Sequence, residues 1–286
     1  MGRGGGEGAR VVELAVLGVV FLLVSAVFAM VGLGGGILYV PILLFAGYGM
    51  REAPAISLVL IVATSVTALW TYWRSGRVDW KLALVIDPPT DVMAFVGGYA
   101  SGLVPERLLL GVLAAVLVVA GLLMLRGNAR GGPGGARPAG GTGARRSPGR
   151  SGRWWWHRRF RGDEYAVHLP LVLSVTAAVG LLSGMLGITG GILKLPVMVL
   201  LCGVPMDVAV GTSTAMVALT AACGLAGHAI RGPVDWRVAL LLALAALAGG
   251  LLGSRVSLGV DRGRLRRLFG VLLLLVAARL AWRLVS

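Results

Sequence analysis

The sequence predicts an all-α polytopic membrane protein, with about eight transmembrane helices in two repeated four-helix halves. Each half carries a glycine-broken, re-entrant segment. Three observations predict this architecture. Of 286 residues, 57% are apolar and only 14% charged, against about 25% charged in a soluble domain, and the mean hydropathy is +0.87. Apolar runs of about twenty residues recur from end to end, each long enough for a hydrocarbon core of about 30 Å. A glycine cluster followed by proline occurs twice, as Gly32-Leu33-Gly34-Gly35-Gly36-Ile37-Leu38-Tyr39-Val40-Pro41 and Gly187-Ile188-Thr189-Gly190-Gly191-Ile192-Leu193-Lys194-Leu195-Pro196, agreeing at six of ten positions.

The first span runs from Val11 to Val31 and is too long for the 7–15-residue apolar core of a cleaved signal peptide. A half-length piece, Ile37 to Ala46, follows the first glycine cluster and is too short to cross alone. The second span covers Ala53 to Trp73, with Trp70, Tyr72 and Trp73 placed as an interfacial aromatic belt. The third, Trp80 to Leu103, contains Asp87-Pro88-Pro89-Thr90-Asp91. Its prolines remove donors and kink a helix. An acid at membrane depth costs about 2.5–3.5 kcal/mol on insertion scales, so either the two aspartates face a polar cavity or this end lies near the interface. Leu108 to Leu125 is the fourth span.

Residues 126–162 are rich in Gly, Pro, Ser and Arg and show no periodic apolar face, which predicts a disordered linker between a first repeat, residues 1–125, and a second, residues 163–286. Trp154-Trp155-Trp156 and neighbouring arginines are expected against anionic lipid headgroups. The second repeat supplies spans at Val167–Leu186, Asp207–Ile230, Trp236–Leu258 and Leu268–Leu284, with a short piece from Ile192 to Leu201 after its glycine cluster. Landmarks recur in the same order: a methionine (Met50, Met206), a long span, then Val78-Asp79-Trp80 against Val234-Asp235-Trp236.

The formal charge of +15 would point to nucleic acid in a soluble protein, but here the arginines crowd into the linker and loop ends, the pattern that sets orientation. No nucleic-acid partner is expected. Ten arginines between Arg126 and Arg161 place the linker, and hence both termini, on the cytoplasmic side of the cell membrane, although five arginines between Arg255 and Arg267 oppose that orientation. Cys202 and Cys223 fall inside apolar segments as packing residues, and His157, His168 and His228 lack metal-ligand spacing. No metal, cofactor or ATP-binding fingerprint is legible, nor any nucleophile–base pair, so an enzyme is not expected.

Two helix breaks at matching places in two halves are the pattern of a transporter's binding site. Glycine lowers helix propensity by roughly 1 kcal/mol relative to alanine, and a break in hydrocarbon survives only where it is buried or lines a cavity. With the run Gly211-Thr212-Ser213-Thr214 and the two Val-Asp-Trp turns, these features resemble the sulfite exporter TauE/SafE family over residues 15–125 and 167–284. Thr189 departs from the pattern where the first copy has Gly34, and Ala55-Ile56-Ser57-Leu58 is a weak copy of the Gly211–Thr214 run.

The resemblance implies secondary transport of a small anion, sulfite or an organosulfonate. A passive anion channel and a structural membrane protein are the alternatives. Substrate is expected at Gly32, Gly34, Gly35, Gly36 and Pro41 of the first break and at Gly187, Thr189, Gly190, Gly191, Lys194 and Pro196 of the second. Ser57, Thr212, Ser213 and Thr214 either donate hydroxyls to the anion or bond between helices. Lys194 falls in the first turn after Gly190-Gly191, where a cation opposes the helix dipole. Either an anionic substrate offsets it or the side chain snorkels to the interface.

Overall fold

The computed structural model describes residues 4–31, 36–126, 153–188, 190–232, 234–256, 271 and 273–282. The chain is mostly helical: α1 (Gly4–Val31), α2 (Tyr39–Phe45), α3 (Ala53–Arg74), α4 (Trp80–Ile86), α5 (Pro88–Ser101) and α6 (Glu106–Arg126) precede a two-stranded hairpin, β1 (Trp155–Phe160) and β2 (Asp163–His168). Then come α7 (Leu169–Leu186), α8 (Gly191–Pro196), a π-helical turn (Val197–Leu201), α9 (Met206–Arg231) and α10 (Trp236–Val256), and a last helix α11 (Leu273–Trp282). Among the described residues, four helices are long and apolar enough to cross a membrane: Ala53–Arg74, Leu169–Leu186, Val208–Ile230 and Trp236–Val256.

The polarity of the bundle is turned inward. Ser25, Ser57, Thr64, Asp87, Thr90, Asp91, Lys194 and Thr220 are buried, whereas Leu84, Leu240, Leu244 and Leu252 are exposed. That distribution suits apolar surroundings, in which polar groups must find partners within the protein.

α1 packs on α10, and α5 on α7; α3 contacts both α10 and α9, and α5 contacts α9. Small residues permit these approaches. A Cβ at Gly97 of α5 would overlap Leu181 O of α7, and one at Gly253 of α10 would overlap Ala26 O of α1.

The third expected span is two helices. Pro88 and Pro89 lack the N–H groups that would continue α4 into α5, so the chain divides at Asp87. Thr176 of α7 donates its hydroxyl to Ile86 O at 3.3 Å beside this break. α10 begins at the matching Val-Asp-Trp turn but has no proline and runs unbroken.

Two expectations are corrected. Tyr72 leaves the aromatic belt: it is buried, and its hydroxyl donates to Ala29 O at 2.9 Å. Trp70, Trp73 and Trp80 form the exposed edge-to-face cluster instead. The end of the expected linker is ordered as the β1–β2 hairpin. Arg161 and Gly162 both have positive φ, 53° and 89°, the two-residue turn whose twist matches paired strands.

Cross-strand partners Arg158 and Tyr165 converge on Asp79. Arg158 Nη2 donates to Asp79 Oδ1 at 3.0 Å, and Nε to Oδ2 at 3.1 Å. The Tyr165 hydroxyl also donates to Oδ2. The same carboxylate caps α4 by accepting from Lys81 N and Leu82 N. Burial pushes its pKa up, but the hydrogen bonds from Arg158, Tyr165 and Leu82 outweigh that and hold it below the ordinary carboxylate value.

A depressed native value stabilises the fold above the unfolded carboxylate's pKa, about 4, and that stabilisation is lost as pH falls through the native value. Asp79→Ala should therefore cost about 1 kcal/mol through the cap alone and speed amide exchange in the hairpin at neutral pH. The wild type should approach the variant only in acid. Equal exchange in both proteins at neutral pH would show that Asp79 does not hold the hairpin.

Candidate functional site

The second glycine cluster ends α7 and starts α8. Gly187 adopts a left-handed φ of 64°, with its N–H bonded to Ser183 O. A Cβ there would overlap Pro54 at the start of α3, so only glycine fits. Ser57 of α3 donates to Gly187 O at 2.6 Å, and Ser183 donates to Ile188 O at 2.5 Å. The carbonyls released by the break are thus taken up by hydroxyls, as a buried break requires.

Lys194 sits in the first turn of α8, its N–H bonded to Gly190 O at 2.8 Å. Its side chain is buried and does not snorkel. Nζ donates to Asp87 Oδ1 at 2.5 Å and to Thr220 Oγ1 of α9 at 2.8 Å. The Thr220 hydroxyl in turn donates to Asp91 Oδ1 at 2.8 Å. Neither Asp87 Oδ2 nor Thr90 Oγ1 has a hydrogen-bond partner among the described residues. The charge at Lys194 is therefore offset inside the protein by Asp87, not left for a substrate alone.

A cleft of about 60 Å³ opens between α4–α5 and α9 and reaches this cluster, with Trp80, Asp87, Asp91 and Met216 in its walls. Among the described residues no group of three His, Cys, Asp or Glu could hold a metal ion.

Tyr39 of α2 stands where Lys194 stands in the second copy. It is buried, edge-on to Phe21, and its hydroxyl lies 2.6 Å from Ser25 Oγ and 2.9 Å from Thr64 Oγ1. Thr64 and Thr220 precede their Val-Asp-Trp turns by the same number of residues. One break thus has an uncharged hydroxyl cluster and the other a lysine with two carboxylates.

The remaining expected residues fall into three groups. Gly32, Gly34, Gly35 and Thr189 lie outside the described residues. Gly36, Pro41, Gly190 and Gly191 are buried at the breaks, and Pro196 lies in α8. Thr212 Oγ1 accepts from Asp79 N at 3.0 Å, and Thr214 donates to Val210 O of its own helix. Ser213 is buried beside them. In these positions Ser57, Thr212 and Thr214 bond to backbone. Thr220 was not singled out by the sequence, although its match to Thr64 in the repeat marks it.

The chain is 28% identical over 285 residues to the Probable membrane transporter protein YunE of Bacillus subtilis (strain 168), covering 95% of this chain and 97% of that protein. It is 25% identical over 268 residues to a Probable membrane transporter protein of Xylella fastidiosa (strain 9a5c), covering 91% and 92%. No solved structure matches. The family described as Sulfite exporter TauE/SafE matches residues 17–280, more than nine-tenths of the sequence. The chain is a multi-pass membrane transporter that belongs to the sulfite exporter TauE/SafE family.

Proposed function

We propose that this protein is a secondary transporter that moves a small anion, sulfite or an organosulfonate, through a site at the second helix break. The observation that carries this reading is Lys194, a buried cation placed at a break in the helix and paired with Asp87, which lines a cleft. An intramembrane ionisable residue of this kind is expensive and marks a transport pathway by default. We assign Gly187, Thr189, Gly190 and Gly191 to the anion site, where Thr220 orients Nζ. We assign Gly32, Gly34, Gly35, Gly36 and Pro41 to an uncharged counterpart, so the second break is the one that attracts an anion.

Eight spans in two copies, joined by a cytoplasmic linker with both termini inside, complete the reading. The exchanged packing supports two copies: Ala26 and Leu181 each stand six residues before their glycine cluster. Gly253 and Gly97, their respective partners, lie equally far beyond Trp236 and Trp80. Exposed Trp154 beside Arg153 suits contact with anionic headgroups.

Proteoliposomes containing the wild type should accumulate radiolabelled sulfite down an imposed gradient. The double variant Lys194→Gln, Asp87→Asn removes both partners of the ion pair together and should lose most of this flux. Tyr39→Phe, in the uncharged copy, should lose little. Unchanged flux in the double variant would place the anion elsewhere. For the topology, a cysteine at Gly141 should resist membrane-impermeant thiol reagents in intact cells, and ready labelling would reverse the orientation.

A further inference from the structure

We propose that Asp87, Asp91 and Lys194 form a proton-coupling site, in which one proton taken up by the carboxylate pair releases Lys194 to the transported anion. The proposal rests on the anion-transport reading above and adds the coupling ion to it.

Two carboxylates share one lysine. With all three ionised, the cluster carries one surplus negative charge within a few ångströms of the ammonium that an anion must reach. An anion arriving at Nζ would displace Asp87 Oδ1 from its 2.5 Å contact and leave that carboxylate buried, unpaired and repelled by both Asp91 and the newcomer. Losing one partner of a buried ion pair is strongly destabilising, because it strands the other charge. Protonation removes the conflict. A neutral Asp87 no longer competes for Nζ, and the anion takes over as counter-ion with the net charge of the cluster unchanged.

The geometry provides for that proton. Asp87 Oδ2 is buried without a partner among the described residues, and so is Thr90 Oγ1 one turn away; a proton on Oδ2 converts an unmatched acceptor into a donor. Asp91 is joined to the same lysine through Thr220, whose hydroxyl accepts from Nζ and donates to Asp91 Oδ1. The pair therefore titrates as a unit. Both aspartates line the cleft.

Few other groups face the cluster from the helices packed around it. α7 contributes no charged or titratable side chain. On α9, Cys223 lies one turn beyond Thr220, and His228, two turns beyond, is held by Gly184 O at 2.9 Å and Ser101 Oγ at 3.2 Å. On α4, Lys81 is exposed. Lys194 is the cation that α8 supplies.

Proton and anion therefore bind together and cross together, and a monovalent anion crosses electroneutrally. Mass action then ties anion affinity to proton concentration: affinity rises as pH falls, until the carboxylate pair is protonated without the anion.

Methanesulfonate is the suitable probe, because it carries no proton of its own near neutral pH. Proteoliposomes holding a pH-sensitive dye should acidify as radiolabelled methanesulfonate enters, one proton for each anion, with no response to an imposed membrane potential. Asp87→Asn should lower the proton-to-anion ratio toward zero and flatten the pH dependence of the apparent affinity, whereas Asp91→Asn, which keeps Asp87 but removes the neighbouring negative charge, should shift that dependence to lower pH. Monodisperse elution of each variant confirms its fold. Anion entry without acidification in the wild type overturns the proton site and leaves the anion reading standing. Retention of one proton per anion in Asp87→Asn does the same. Wild-type proteoliposomes that pass neither methanesulfonate nor sulfite overturn both.

Discussion

Everything distinctive in this molecule depends on how one lysine is kept charged inside an apolar bundle. Lys194 cannot reach water, and it occupies the end of a helix where backbone N–H groups already present positive charge. In isolation such an ion would be untenable in hydrocarbon. Asp87 and Thr220 make it tenable, and they come from different parts of the chain: Asp87 from the α4–α5 break, Thr220 from the middle of α9. Satisfying one side chain therefore fixes three elements relative to one another. The proline pair that divides α4 from α5 is part of the same solution, since it places Asp87 at an interruption.

The surrounding bundle is built for close approach. Helices such as α5 and α7, or α1 and α10, meet where glycines let carbonyls of one helix lie against the backbone of the other. In lipid there is no hydrophobic drive between helices, so dispersion contacts and hydrogen bonds hold them together. The hydroxyls serve the same end. Ser57, Ser183 and Thr176 spend their protons on carbonyls beside the two interruptions. A break in a membrane helix is thus stable here because the neighbouring helices supply its missing donors, while the lysine beside it is stable because they supply its counter-charge.

Much of this was legible in the sequence, for reasons that differ from residue to residue. Apolar runs locate α3, α7, α9 and α10 because helices in lipid must be apolar along their length. The glycine clusters locate the breaks, and the Val78-Asp79-Trp80 landmark precedes α4, although the capping role of Asp79 emerges only in the structure. The hairpin was hidden by composition. Arginine and glycine between Trp156 and Tyr165 read as linker, whereas the Arg161-Gly162 turn and the pairing of β1 with β2 make strands. The partner of Lys194 was hidden for another reason. Asp87 lies far from it along the chain, and pairing across that distance is decided by how the helices pack, which a local pattern does not encode. The division of the third span was foreshadowed by its two prolines, but not that the acid at the division would answer the lysine.

The central claim is that Asp87 and Lys194 act as one unit, and a double-mutant cycle on unfolding in detergent tests it most directly. Asp87→Asn and Lys194→Met each strand the other charge and should each destabilise the protein by about 3–5 kcal/mol. The two together remove both charges and should cost clearly less than the sum of the single changes. Additive losses, with the double variant as unstable as the two single effects combined, would contradict the account.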